Sequence, residues 1–201
     1  MGDGFHCPYE KLCLLQDMHS CHHLQKQLKR SSKWLREATF CQLERIIERL
    51  ATLYLERSGV SSPPVPTNIV AIADPDTRVE LQLVELKVHH GCLWFFGDEW
   101  LIQLNVRDSQ VERRYTLFHE VFHILCNNES LSFKRAICPK PLRRPFYELV
   151  ADYFSSCVLL PHQWVLELWS GTSDSGEMSR LFGVSKQVME NRLRELGLLT
   201  K

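Results

Sequence analysis

From Leu24 to about Arg57 the apolar residues Leu24, Leu28, Leu35, Ala38, Leu43, Ile46, Leu50 and Leu53 recur at helical spacings, which predicts an amphipathic helix. Ser31 and Ser32 interrupt the pattern, and Ser58-Gly59 stops it. The proline-rich run from Val60 to Pro66 cannot continue a helix and reads as an extended connection, the clearest boundary in the chain. A short helix over Thr67 to Ala73 is expected next. Val79 to Val88 then alternates apolar with mostly polar residues, and Cys92 to Phe96 and Trp100 to Val106 are β-rich segments parted by Gly97-Asp98-Glu99. Together they predict a small antiparallel sheet. Helical spacing returns from about Gln110 to Cys126, and again from about Pro145 to Leu160, with Pro145 at a tolerated starting position and Pro161 past the end. The tail from Gln163 holds Met178 to Phe182, the turn Gly183-Val184-Ser185, and Lys186 to Leu196, which predict two short helices around a glycine turn.

The 201 residues are 44% apolar and 24% charged, enough for one well-filled core with small appendages. Lysine plus arginine equals aspartate plus glutamate at 24 each, so no overall field draws the chain to nucleic acid or an anionic membrane. The stretch Met1 to Lys11 lacks the basic and apolar regions of a secretory signal, and no run approaches the roughly 18 apolar residues of a membrane span. The protein is therefore expected in the cytoplasm. There its eight cysteines are mostly reduced, and their spacing is read for packing or metal binding rather than disulfides.

His119-Glu120-Val121-Phe122-His123 is an H-E-x-x-H match inside an apolar helical segment. Helix positions four apart differ by about 40° of rotation and about 6 Å of rise, so both imidazoles reach one ion. A catalytic zinc takes three protein ligands and keeps a position for water, whose pKa it lowers to about 7. The third ligand is expected on the next helix, where Glu148-Leu149-Val150-Ala151-Asp152 places two carboxylates on one face of an otherwise apolar segment. Unpaired charges there are expensive to bury, and a metal with its histidines supplies a reason for them. Glu148 is assigned as the third ligand. Asp152 is assigned as the acceptor for the outward N–H of a ligating histidine, with an ordinary helix-surface carboxylate as the alternative. Glu120, about 100° round the helix from His119, stays off the metal. Its expected role is to take the proton of the attacking water and hand it to the leaving amine.

At these residues the sequence resembles the ImmA/IrrE metallopeptidase family. The matching stretches are Arg114 to Leu125, Glu148 to Pro161, and the tail Leu181 to Leu198, over roughly residues 65 to 200. The resemblance implies a gluzincin-like α+β fold with the H-E-x-x-H helix beside a small sheet; joined to the elements read above, the expected fold has a helical N-terminal part, a small antiparallel sheet packed on that helix, and C-terminal helices resembling a small helix-turn-helix unit. It implies the same roles for His119, Glu120, His123, Glu148 and Asp152, and a protein substrate, a helix-turn-helix transcriptional repressor whose cleavage releases transcription. The chain departs from the family at Phe122, where glycine is usual, and at Cys126-Asn127-Asn128, where a histidine-containing continuation is common. The bulky Phe122 is expected to narrow the cleft. Residues 1–60 then form a Cys/His-rich terminus and helix, 61–162 the peptidase core, and 163–201 a C-terminal helical segment.

Other features are read more plainly. Cys7, Cys13, Cys21 and one of His19, His22 or His23 offer ligands for a second, structural zinc, although their spacing fits no finger pattern and a loosely ordered terminus is the alternative. Cys126, Cys138 and Cys157 read as core or loop thiols. The basic run Lys134 to Arg144 reads as a solvated loop, or as a device steering an acidic substrate region. The mixed charge of Met178 to Leu198 favours packing or partner docking over groove binding to DNA. Tyr115, Tyr147 and Tyr153 are all candidates for stabilising an oxyanion. Besides a zinc endopeptidase, the sequence admits a zinc-containing anti-repressor module acting by sequestration, and a zinc hydrolase for small peptides or amides.

Overall fold

The computed structural model describes residues 33–74, 76–128 and 144–200. Helix α1 (Lys33–Ser58) ends where expected, and the chain passes through a 3-10 turn (Thr67–Ile72) into three strands, β1 (Arg78–Val84), β2 (Gly91–Phe95) and β3 (Glu99–Asn105). Helices α2 (Gln110–Asn128) and α3 (Arg144–Leu159) follow, then α4 (His162–Thr172), α5 (Ser175–Phe182) and α6 (Lys186–Glu195). The architecture is α+β, with helical parts on either side of a three-stranded sheet in sequence.

The sheet is mixed rather than antiparallel. Its order is β1-β3-β2, with β2 antiparallel to β3 but β1 parallel to it. Gly97, at φ 76°, supplies the left-handed residue that the tight β2–β3 hairpin requires. Residues 85–90 carry the chain past β3 to its far edge, so β2 itself is the return path that leaves β1 and β3 pointing the same way. Alternation in sequence reports which face is buried; it carries no information on strand direction. On β3 that alternation is clear, since Trp100, Ile102 and Leu104 are buried.

Helix α2 lies between the sheet and the other helices, packing on β2 and β3 on one side and on α3 on the other, while α1 packs on α3. Leu117, Phe118, Val121, Phe122, Ile124 and Leu125 of α2 are all buried, and join Val150, Ala151, Phe154 and Val158 of α3 and Ile47, Leu50 and Tyr54 of α1 in one cluster. Burying a Leu- or Phe-sized side chain is worth about 1.5–3 kcal/mol, so the two helices bearing the candidate ligands are also those most firmly fixed. Phe122 belongs to this core. It is 0% exposed, with ring centroids 5.5 Å from both Phe154 and Tyr147, and so fills the interior rather than narrowing a cleft.

Two polar ties fix the tail. Arg114 of α2 donates from one guanidinium nitrogen to the carbonyl of Gly183 at 2.9 Å and from the other to that of Val65 at 2.6 Å. Arg192 of α6 is 1% exposed and donates to the carbonyl of Leu160 and to carboxylate oxygens of Glu48 and Glu195. The expected pair of short helices around Gly183 is present as α5 and α6, with Gly183 at φ 65° capping α5. Helix α4 was not expected from the sequence; it buries Val165 and partly buries Trp164 and Trp169. No helix among the described residues is long and apolar enough to cross a membrane.

Candidate metal centre

Helix α2 starts at a reciprocal cap: the Ser109 N–H donates to Glu112 Oε2 at 2.8 Å, and the Glu112 N–H donates to Ser109 Oγ at 3.3 Å. From that start the apolar positions turn inward to the core, while His119 and His123 stay half-buried on the side facing α3. Their rings meet edge to face with centroids 4.9 Å apart. Opposite them, in the first turns of α3, Glu148 is half-exposed at its side chain.

One nitrogen of each imidazole and one Glu148 oxygen converge, with His119 Nε2 at 3.0 Å and His123 Nε2 at 3.6 Å from Glu148 Oε2. One ligand atom from each of the three residues falls within 4.8 Å of the others. Tetrahedral zinc with bonds of about 2.0–2.1 Å separates neighbouring ligand atoms by about 3.3 Å, so both the donor types and their spacing fit a divalent ion. The half-exposed side chain of Glu148 keeps this group in reach of solvent.

The two remaining residues of the predicted site lie against this trio. Asp152, one helical turn beyond Glu148, places Oδ1 2.8 Å from His119 Nδ1, on the side of the ring away from Glu148. Burial opposes the charging of His119, but the hydrogen bond and charge of Asp152, with Glu120 and Glu148, raise its pKa overall. Glu120 is 8% exposed and turns towards β2. A methyl group on Gly91 of β2 would lie 3.0 Å from Glu120 Oε1 and 2.5 Å from Thr116 Cγ2, so the absence of a side chain at 91 is what lets the carboxylate lie there. Burial pushes the Glu120 carboxyl up to about 7; the charge of His119 pulls it down and that of Glu148 adds to the rise. A cation at the trio acts in the downward direction as well.

The three tyrosines stand in different surroundings. Tyr115 donates to the Asp152 carbonyl at 2.7 Å, and Tyr153 donates to Glu48 Oε1 while accepting from Arg192. Tyr147 stands beside the site, its ring 5.0 Å from that of His123. Sequence reasoning left this choice open because hydroxyl partners come from packing. It also missed Gly91, whose only signal was a glycine opening a β-rich segment. Cys126 and Cys157 are buried, and burial pushes the Cys157 thiol up to about 12, in keeping with core thiols. Cys7, Cys13, Cys21 and His22, proposed for a second zinc, lie outside the described residues, as do Cys138 and the basic run from Lys134 up to α3.

An α+β frame that presents H-E-x-x-H on a core helix beside a small sheet, with a carboxylate from the following helix, defines a metallopeptidase-like protein. The chain belongs to the Peptidase_M78 family, the IrrE N-terminal-like domain, whose model matches residues 77–194. No curated protein matches the sequence. Among solved structures it is similar to a Mycobacterium tuberculosis transcriptional regulator, with a TM-score of 0.55 and 15% identity over 76% of this chain and 46% of that one. At that identity the likeness concerns the fold, and the chain spans less than half the length of that neighbour.

Proposed function

We propose that the protein is a zinc-dependent endopeptidase acting on a specific protein substrate, with His119, His123 and Glu148 holding the ion and Glu120 as general base. The observation that carries this reading is the convergence of two imidazole nitrogens on one Glu148 oxygen beside a buried carboxylate at position 120. A site that bound metal only for structure has no use for such a carboxylate. A divalent ion held by these three residues supplies a Lewis acid that polarises a carbonyl and lowers the pKa of water to about 7.

The chain's own residues do the rest. Glu120 Oε1 takes up the proton as water adds to the scissile carbonyl carbon, and returns it to the nitrogen as the C–N bond breaks. With Asp152 accepting the Nδ1–H of His119, the Nε2 lone pair is the one left for an ion. Tyr147, its ring 5.0 Å from that of His123, borders the metal-binding residues. The resemblance to the ImmA/IrrE family points to a helix-turn-helix repressor as substrate.

Zinc-loaded protein incubated with the product of a neighbouring repressor-like gene tests this. A new N-terminus should appear in the repressor, and should vanish for Glu120→Gln at unchanged zinc content. Cleavage that survives Glu120→Gln, or a wild-type protein that takes up no stoichiometric zinc, would discard the mechanism.

A further inference from the structure

Between α1, α3 and α6 lies a cavity of about 440 Å³, walled by Leu43 and Ile47 of α1, Val150 of α3 and Val188 of α6. Among the described residues its polar rim is one-signed: Glu44, Asp152 and Glu195 contribute carboxylates from three helices, and no described lysine or arginine lines it. Arg192, on the same helix as Val188 and Glu195, is no counter-ion in waiting, since its guanidinium is buried and already serves Glu48, Glu195, Tyr153 and the Leu160 carbonyl. Burial raises the Glu44 carboxyl, and the like charges of Glu195 and Glu48 raise it further, with Arg192 opposing. An incoming cation relieves that repulsion; an incoming anion adds to it.

The groove reaches the metal-binding residues through one side chain. Asp152 lines it and also bonds His119 Nδ1, while Leu149, next to Glu148, is 63% exposed on its wall. A ligand seated there therefore lies directly beside the helix turn that carries Glu148. Exposed apolar surface of this kind, flanked by a single sign of charge, is the pattern of a binding groove rather than of an idle surface.

We infer that this groove docks an amphipathic segment of the protein substrate, apolar side chains against Leu43, Ile47 and Val188 and a lysine or arginine against Glu44 and Glu195. The inference rests on the peptidase reading for its purpose, but its chemistry is tested without any cleavage.

The full-length Glu120→Gln protein is titrated with a short fluorescein-labelled peptide bearing leucines at helical spacing with lysines between them, and with the same peptide carrying glutamates. The lysine peptide should bind and the glutamate peptide should not. Glu44→Lys should weaken the lysine peptide by about fivefold to tenfold at low salt, Glu44→Gln by less, and Glu167→Lys on α4 not at all. Unchanged circular dichroism separates this loss from misfolding; should Glu44→Lys fail to fold, Glu44→Gln and Val188→Glu carry the test. Equal binding of both peptides, or lysine-peptide binding indifferent to Glu44 and Val188, overturns the proposal. Absence of binding also overturns it, whether the groove is filled by residues 1–32 or by a second copy of the chain. A wild-type protein that binds the peptide here yet cleaves nothing would leave the groove standing and remove only the catalytic reading.

Discussion

His119 and Asp152 face each other across α2 and α3, with imidazole Nδ1 2.8 Å from carboxylate Oδ1. The bond engages Nδ1 and leaves Nε2 on the side of Glu148, the nitrogen that the proposed metal site uses. Replacing Asp152 with alanine should lower zinc affinity by about 10- to 100-fold, and Asp152→Asn should recover part of the loss because an amide oxygen still accepts the N–H. Chelator competition measures both. An affinity unchanged in Asp152→Ala would reduce Asp152 to a groove and surface carboxylate.

Zinc should stabilise the wild-type fold and do nothing for a variant lacking a ligand. At about 100 times its Kd, a ligand that binds only the native state adds about 2.7 kcal/mol. The thermal midpoint of wild type should therefore rise with zinc and fall with EDTA. That response should be absent in His123→Ala and Glu148→Gln, while Glu120→Gln keeps it. A zinc response that persists in His123→Ala would place the ion elsewhere.

Gly91→Ala should damage activity more than metal binding. The added methyl meets Thr116 Cγ2 at 2.5 Å and Glu120 Oε1 at 3.0 Å, and overpacking of this kind costs about 1–3 kcal/mol. Adding Thr116→Ser removes the first contact and should restore the thermal midpoint. The second contact remains, so kcat should stay low. If the double variant regains full kcat, the closeness of Gly91 to Glu120 has no catalytic meaning.

The start of α2 should show a pH signature. Hydrogen bonds from the Ser109 side chain, then from its backbone, hold the Glu112 carboxyl below its usual value. A depressed folded-state pKa means that the contribution is complete above the unfolded pKa and is lost as pH falls through the folded one. The gap in thermal midpoint between wild type and Glu112→Ala should therefore be widest near neutrality and close on acidification. A gap that widens as pH falls would contradict the cap.

Arg192→Met should destabilise the protein by roughly 2–4 kcal/mol. The figure sits at or below that for a wholly buried pair because Glu48 and Glu195, at 30% and 44% side-chain exposure, keep access to solvent once orphaned. Urea unfolding gives the number. A loss near zero would mean that the guanidinium is no more favourable than an apolar plug.

What the sequence disclosed was whatever is encoded by short spacing. His119, Glu120 and His123 follow from an i, i+4 repeat on a helix, and Glu148 with Asp152 from a second such repeat among apolar residues, so their grouping in space needed only that two helices pack together. The β1–β3 pairing was hidden because a period of two is the same for both strand directions. Phe122 was misjudged because a motif position says nothing of which side of the helix the core occupies; the ring's place was set by Tyr147 and Phe154, far along the chain. Arg192 read as one charge in a mixed run, and only tertiary packing shows it enclosed.

Arg114 gives the tail a mechanical bearing on the centre. Its two guanidinium nitrogens hold the backbone at Val65 and at Gly183, and a side chain at 183 would collide with one of them. Four residues separate this clamp from His119 on the same helix. A chimera grafting a foreign C-terminus after Phe182 would thus have to preserve a bare α-carbon at the splice. It would also have to keep an arginine at the position of Arg192, whose bonds to Glu48 and the Leu160 carbonyl tie the same ending to the body a second time.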